Sequence, residues 1–294
     1  EEAIFLFMHA ALAPGDHVIV QWPCYQSLMD VARSIGCRVT LWKAREATGW
    51  SPDVDELKRH VHPKTKAIVI NTPHNPTGYH FSTAEFQAIN QIAQSHGLLL
   101  FSDEVYREAE YQAEDLLPAA CDLGEHAISL GVMSKTYGLP GLRIGWIATH
   151  NAAIYSQMAA LKDYTTICNS APSEFLAEVA LRHRKVLVRR NVNIITHNLS
   201  VLDSFFQRYA DRFAWQRPKA GPIAFPRLLD SANGLGEGIE AFCDALVRQA
   251  SVLLLPGTVY GDEDNHFRIG FGRRNLPKAI ARLEEFLSNS FYVT

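Results

Sequence analysis

Short apolar runs alternate with amphipathic stretches through the first half of the chain. Residues 17–21, 38–42, 66–71, 98–101, 127–133 and 142–149 read as strands. Most are apolar throughout rather than at every second position, as expected of strands covered on both faces. Between them, residues 25–35, 54–61 and 83–96 carry helical periodicity, with Gly36 at a stop position and Ser82 or Thr83 at a start, Glu85 and Phe86 close behind. A first helix ends at Pro14-Gly15-Asp16. This alternation predicts an α/β fold, a mostly parallel sheet with helices on both faces.

From about Asn151 the rhythm changes. Residues 152–164 and 172–212 read as two long helices. Short strands follow at 213–215, 223–225, 252–255 and 267–271, with helices at 239–249 and 277–288. The expected organisation is a large domain over residues 1–165, then a connecting helix and a smaller α+β domain over 166–294. Glu1-Glu2-Ala3-Ile4 already looks like the interior of an amphipathic helix, with no initiator Met, so the chain reads as a fragment lacking an N-terminal portion.

Composition narrows the class. The 294 residues are 47% hydrophobic and 20% charged, with a net charge of −3. Nothing in that balance favours a nucleic acid or an anionic membrane as partner. The five cysteines are scattered without a C-x-x-C pair and read as reduced thiols. With no visible signal peptide and no apolar run long enough to cross a bilayer, a cytoplasmic protein is expected. The twelve histidines show no metal-ligand spacing, so no metal site is expected. His74 is expected to be a solvated loop residue without a role.

The chemistry concentrates after the strands. Lys135 follows the apolar run 127–133 and precedes Gly138, Gly141, Arg143 and Gly145. Desolvation favours a neutral amine there, a candidate Schiff-base nucleophile. The glycines let backbone approach a ligand, and Arg143 can hold a phosphate bidentately. An aldehyde and a phosphate on one cofactor describe pyridoxal 5′-phosphate (PLP). Asp103, in Ser102-Asp103-Glu104-Val105-Tyr106, could place a carboxylate against the pyridine nitrogen; the acid pair could also be a metal site or a helix cap. Asn75, in Asn75-Pro76-Thr77-Gly78, is either a turn residue or an amide donor to the ring oxygen, which Tyr106 could share. Arg268 lies inside an apolar strand, where either a substrate carboxylate or an internal acid would pair it. Tyr25 is either a core aromatic or a ring-stacking residue.

Four segments, Asn75-Pro76-Thr77-Gly78, Asp103-Glu104-Val105-Tyr106, Ser134-Lys135 with Arg143-Ile144-Gly145, and Phe267-Arg268-Ile269-Gly270, together resemble the class I/II aminotransferase family, fold-type I PLP enzymes. The resemblance implies that Lys135 holds the cofactor as a Schiff base and then shuttles a proton. It implies Asp103 on the pyridine nitrogen, Asn75 and Tyr106 on the ring oxygen, and Tyr25 stacked on the ring. Ser134, Arg143 and the backbone of Glu1 would bind phosphate, and Arg268 the substrate α-carboxylate. Family members often carry Ser or Thr three residues before the lysine; here Val132 stands there. The implied activity is amino-group transfer between an amino acid and a 2-oxo acid by a homodimer. A lyase, cyclase or decarboxylase would use the same residues. A PLP-binding regulatory domain and a Rossmann dehydrogenase are further alternatives; Gly234-Leu235-Gly236-Glu237-Gly238 does not match the dinucleotide fingerprint.

Overall fold

The computed structural model describes residues 1–229 and 238–289. Gly234 to Glu237 of the glycine run lie outside the described residues. The first half builds one six-stranded sheet from β1 (His17–Trp22), β2 (Arg38–Lys43), β3 (Thr65–Asn71), β4 (Leu99–Asp103), β5 (Ala127–Val132) and β6 (Gly145–Thr149). The strand order is β2-β1-β3-β4-β5-β6. All neighbours pair in parallel except β6, which runs antiparallel to β5. The chain goes outward from β1 to β2 and returns on the other side at β3. That reversal opens a crevice at the carboxyl ends of the strands, where ligands bind in such sheets.

Alternating side chains explain why both faces are buried. Val69 points into a core with Phe7, Met8, Val18, Val20, Phe101 and Ile128. Its neighbours Ile68 and Ile70 join the opposite core with Trp42, Phe86, Ile89 and Leu100. Helices α1 (Glu2–Ala11), α2 (Ser27–Ile35) and α5 (Ala152–Lys162) contribute to the first core, and α3 (Val54–His60) and α4 (Thr83–Ser95) to the second. The start of α4 is a capping box: the Glu85 amide donates to Ser82 Oγ at 3.2 Å and the Ser82 amide to Glu85 Oε2 at 2.7 Å.

The structure differs from expectation at three elements from residue 142 onward. The helix expected over 172–212 is broken at His183 (φ −105°, ψ 15°) into α6 (Ala171–Arg182) and α7 (Arg184–Arg208). The two pieces serve different cores. In α6, Ala177 and Ala180 pack against Met133, whereas α7 sends Ile195, Leu199, Leu202, Phe205 and Phe206 into the C-terminal core. One straight helix could not face both. The strand expected from 142 begins only at Gly145, because Pro140–Leu142 form a tight turn and Arg143 takes left-handed φ of 56°. Of the strand expected over 252–255, only β10 (Leu255–Pro256) pairs, antiparallel to β11 (Phe267–Gly270).

The other face of β11 pairs antiparallel with β8 (Ile223–Ala224). A separate two-residue pairing joins β7 (Phe213–Ala214) to β9 (Arg227–Leu228). Helices α8 (Ile239–Ala250) and α9 (Leu276–Asn289) close this core over Phe205, Phe213, Phe242 and Phe267. Among the described residues, no helix is long and apolar enough to cross a membrane. All five cysteines are free thiols.

Candidate active site

The carboxyl ends of β3, β4 and β5 and the middle of β11 converge on one site. Asn71, the last residue of β3, stitches the first two together. Its Nδ2 donates to the Asp103 carbonyl at 2.8 Å, and its Oδ1 accepts from the Asn75 amide at 2.7 Å. The Asn71 amide in turn donates to Gln21 Oε1 at 3.0 Å. Asn71 was not singled out in the sequence; its one signal there is an amide closing an otherwise apolar strand.

Asp103 is buried, and among the described residues its Oδ1 accepts from the Val105 amide alone, at 3.2 Å. Burial pushes its carboxyl up to about 7, a rise that Val105 and the nearby Lys135 only partly offset. Its neighbour Glu104 is engaged structurally: Oε1 accepts from the Ala120 amide at 2.7 Å and Ser129 Oγ at 2.9 Å. Among the described residues the one group of three or more with metal-ligand spacing is Asp262, Asp264 and His266, which does not include the acid pair at 103–104.

Lys135 stands in a turn past β5, closed by the Gly138 amide on the Lys135 carbonyl at 2.9 Å. Its Nζ lies 5.7 Å from the centre of the Tyr106 ring. Lys135 is exposed as a residue, but partial desolvation in the crevice lowers its pKa, the Arg268 charge lowers it further, and Asp103 acts in the opposite direction. The amine is therefore more easily neutral, and more nucleophilic, than an ordinary lysine. Tyr106 is buried and burial raises its phenol, so its hydroxyl keeps its proton.

Arg268 of β11 is half-buried. Its Nη1 donates to Tyr260 Oη at 2.9 Å and to Asn75 Oδ1 at 3.3 Å, both neutral groups. Its recorded partners among the described residues include no acid, so the internal salt bridge that would have satisfied it is not formed there. Tyr260 escaped the sequence reading; a tyrosine in the turn after Pro256-Gly257 carries almost no signal.

Arg143 is exposed, and its Nη1 donates to the Pro140 carbonyl at 3.0 Å, across the turn that its left-handed backbone closes. Ser134 is half-buried beside Lys135. Val132 pairs with Gly145 at the end of the β5–β6 ladder. Tyr25 is 43% exposed, so it is not a core aromatic. A hydrogen bond to the Glu1 carboxylate pushes its phenol up to about 12. Glu1 caps α1, its carbonyl accepting from the Phe5 amide at 3.0 Å. His74 corrects an expectation: it is buried, not solvated. Its ring Nδ1 meets Thr77 Oγ1 at 2.7 Å, and burial pushes it down to about 3, so the ring is neutral. It shapes the turn, with the His74 carbonyl accepting from the Gly78 amide at 2.8 Å.

The arrangement fits PLP on its charges. Asp103 lacks a cation at hydrogen-bond distance, and Lys135, Arg143 and Arg268 lack acids, among the described residues. For the buried Asp103 and the half-buried Arg268, charge left without counter-charge is costly unless a ligand completes it, whereas the exposed Lys135 and Arg143 are simply free to take one. A pyridinium nitrogen, an aldehyde, a phosphate and a substrate carboxylate are complementary to these groups.

Known proteins bear on the same conclusion. The sequence profile described as aminotransferase class I and II matches residues 1–283. Capreomycidine synthase of Streptomyces vinaceus is 30% identical over 289 residues, 97% of this chain and 72% of that protein. A PLP-dependent aminotransferase from Streptococcus suis 89-1591 superposes with a TM-score of 0.90 at 33% identity, over 98% of this chain and 74% of that one. The PLP-dependent cyclase OrfR superposes with a TM-score of 0.89, also at 33% identity, over 98% and 76%. By its fold, its match along nearly the whole chain and the chemistry of its site, the chain belongs to the class I and II aminotransferase family of fold-type I enzymes, with pyridoxal 5′-phosphate as cofactor.

Proposed function

We propose that the protein is an aminotransferase that moves an amino group between an amino acid and a 2-oxo acid. One observation carries this reading. Arg268 is a half-buried guanidinium whose partners are both neutral, and it stands close enough to Lys135 for the two charges to interact. A carboxylate is the ligand that such a fork binds.

Bound PLP supplies an electron sink for the charge developed at the substrate α-carbon. The residues divide the remaining work. Asp103 would present its carboxylate to the ring nitrogen from a site where burial raises its pKa to about 7. Asn75 and Tyr106 hold the ring oxygen, and Tyr25 covers the ring. Ser134, Arg143 and the Glu1 backbone hold the phosphate. Arg268 grips the α-carboxylate and so fixes which α-carbon bond faces Lys135. The Lys135 amine, made less basic by partial desolvation, takes that proton and returns it. We also assign a homodimer in the cytoplasm. The exposed apolar side chains Tyr155, Tyr164, Ile167 and Phe175 on and around α5 and α6 support a second copy, and five free thiols support a reducing compartment.

A second reading, a PLP-dependent cyclase, lyase or decarboxylase, is favoured by the likeness to capreomycidine synthase and to a PLP-dependent cyclase. The same residues would serve it. A panel of amino acids incubated with the enzyme, with and without a 2-oxo acid, separates the two by mass spectrometry. New amino acid that appears only with the oxo acid supports amino transfer. A cyclised, deaminated or decarboxylated product formed without the oxo acid overturns it.

A further inference from the structure

We infer that Tyr260 is a positioning residue for cofactor and substrate alike: its hydroxyl takes a hydrogen bond from Arg268 and passes one to Asn75, which sets the direction in which each presents its remaining donors. This rests on the roles proposed above for Asn75 and Arg268.

The ring of Tyr260 is held independently of its hydroxyl. The residue is buried at 4% exposure and packs edge-on against Phe225, with centroids 5.8 Å apart. Its carbonyl accepts from Trp22 Nε1 at 3.0 Å, which ties this C-terminal turn to the end of β1. The hydroxyl then lies 2.9 Å from Arg268 Nη1 and 3.3 Å from Asn75 Oδ1.

Donor and acceptor logic fixes the polarity of this chain. A guanidinium only donates, so the Tyr260 oxygen accepts from Arg268. Burial raises the phenol, so the hydroxyl keeps its own proton and donates it to Asn75 Oδ1. An asparagine amide has the same shape with oxygen and nitrogen exchanged, and only its partners decide which end points where. Two donors, Tyr260 Oη and Arg268 Nη1, converge on one end and make it the oxygen. The Asn75 backbone is held separately through Asn71. The Asn75 Nδ2 group, without a protein acceptor among the described residues, is then the end free to donate to the cofactor's ring oxygen. On the other side, Arg268 has Nη1 committed and keeps Nη2 and Nε for a carboxylate.

Tyr260→Phe keeps the ring and its packing and removes only the relay. Three measurements follow on the purified variant beside Asn75→Ala and Arg268→Lys. The Kd of PLP for cofactor-free protein, read by fluorescence, is expected to rise about 3- to 10-fold, the value of one hydrogen bond. The pH midpoint of the visible cofactor band is expected to move as it does in Asn75→Ala, in the same direction and by less. For the amino acid of the panel with the highest turnover, KM is expected to rise about tenfold with kcat within about twofold, since a bond to a charged group steadies ground-state binding. If the two comparison variants show their effects and Tyr260→Phe matches wild type in all three measurements, the inference is overturned. If Asn75→Ala leaves PLP binding unchanged and Arg268→Lys leaves KM unchanged, the underlying site reading fails instead.

Discussion

Asp103 provides a sharp test, because the same carboxylate should weaken the cofactor-free protein and strengthen the loaded one. Without PLP it is buried at the end of β4 with one backbone donor, and its pKa is pushed from 3.8 up to about 7. Between those values the folded chain keeps a proton that the unfolded chain has released, so stability falls as pH rises through that window and levels off above it. About three units at about 1.4 kcal/mol each is about 4 kcal/mol in full, and about 2–3 kcal/mol once water and backbone relax around the charge. Asp103→Asn keeps the acceptor for the Val105 amide and removes the charge. Cofactor-free Asp103→Asn is therefore expected to exceed wild type by about 2–3 kcal/mol at pH 8 and by about 1 kcal/mol at pH 5 in urea titrations. For a chain of 294 residues that corresponds to about 3–5 °C in Tm at pH 8. In the loaded protein the order reverses, since the carboxylate gains a cationic nitrogen, and the Kd of PLP should rise about tenfold or more in the variant. A stability difference that does not change between pH 5 and 8, or a variant that binds PLP as tightly as wild type, refutes the argument.

Borohydride reduction of the loaded enzyme should trap PLP on Lys135, and Lys135→Ala should lose the visible band and about 10²–10⁴-fold or more in turnover; a labelled peptide carrying another lysine contradicts the assignment. Arg268→Lys should raise KM for the amino acid about 10- to 100-fold by removing the bidentate fork, and steady-state kinetics showing an unchanged KM would count against a carboxylate at this position. Gly131→Ala tests the scaffold. A Cβ at Gly131 in β5 would run into the Trp146 ring on β6, so the variant should lose about 1–3 kcal/mol, visible as a lower urea midpoint.

The strands that carry the site were legible because covering a sheet on both faces demands unbroken apolar runs. Asp103 and Arg268 were legible because each ends or interrupts such a run with a group that cannot be buried without a partner, and Asn75 and Lys135 because each lies in the turn just past one. The break at His183 was not legible: helical periodicity continues across it, and only the separate cores served by α6 and α7 require the chain to bend. The burial of His74 was hidden for a similar reason. An Asn-Pro-Thr-Gly turn looks solvated in one dimension, and only the strand ends around it close it off from water.

By itself the amino-acid sequence determined the α/β class, the cofactor chemistry and the identity of the charged groups, since these depend on residue type and on short-range periodicity. The tertiary structure alone decided which groups meet. Arg268, 193 residues from Asn75 along the chain, reaches its side-chain amide, and so does Tyr260 from the turn before β11, 185 residues away. Charge compensation is a property of distance in space: the chain can show that an arginine or an aspartate needs a partner, and only folding reveals that here these partners are neutral or missing, and so left for ligands.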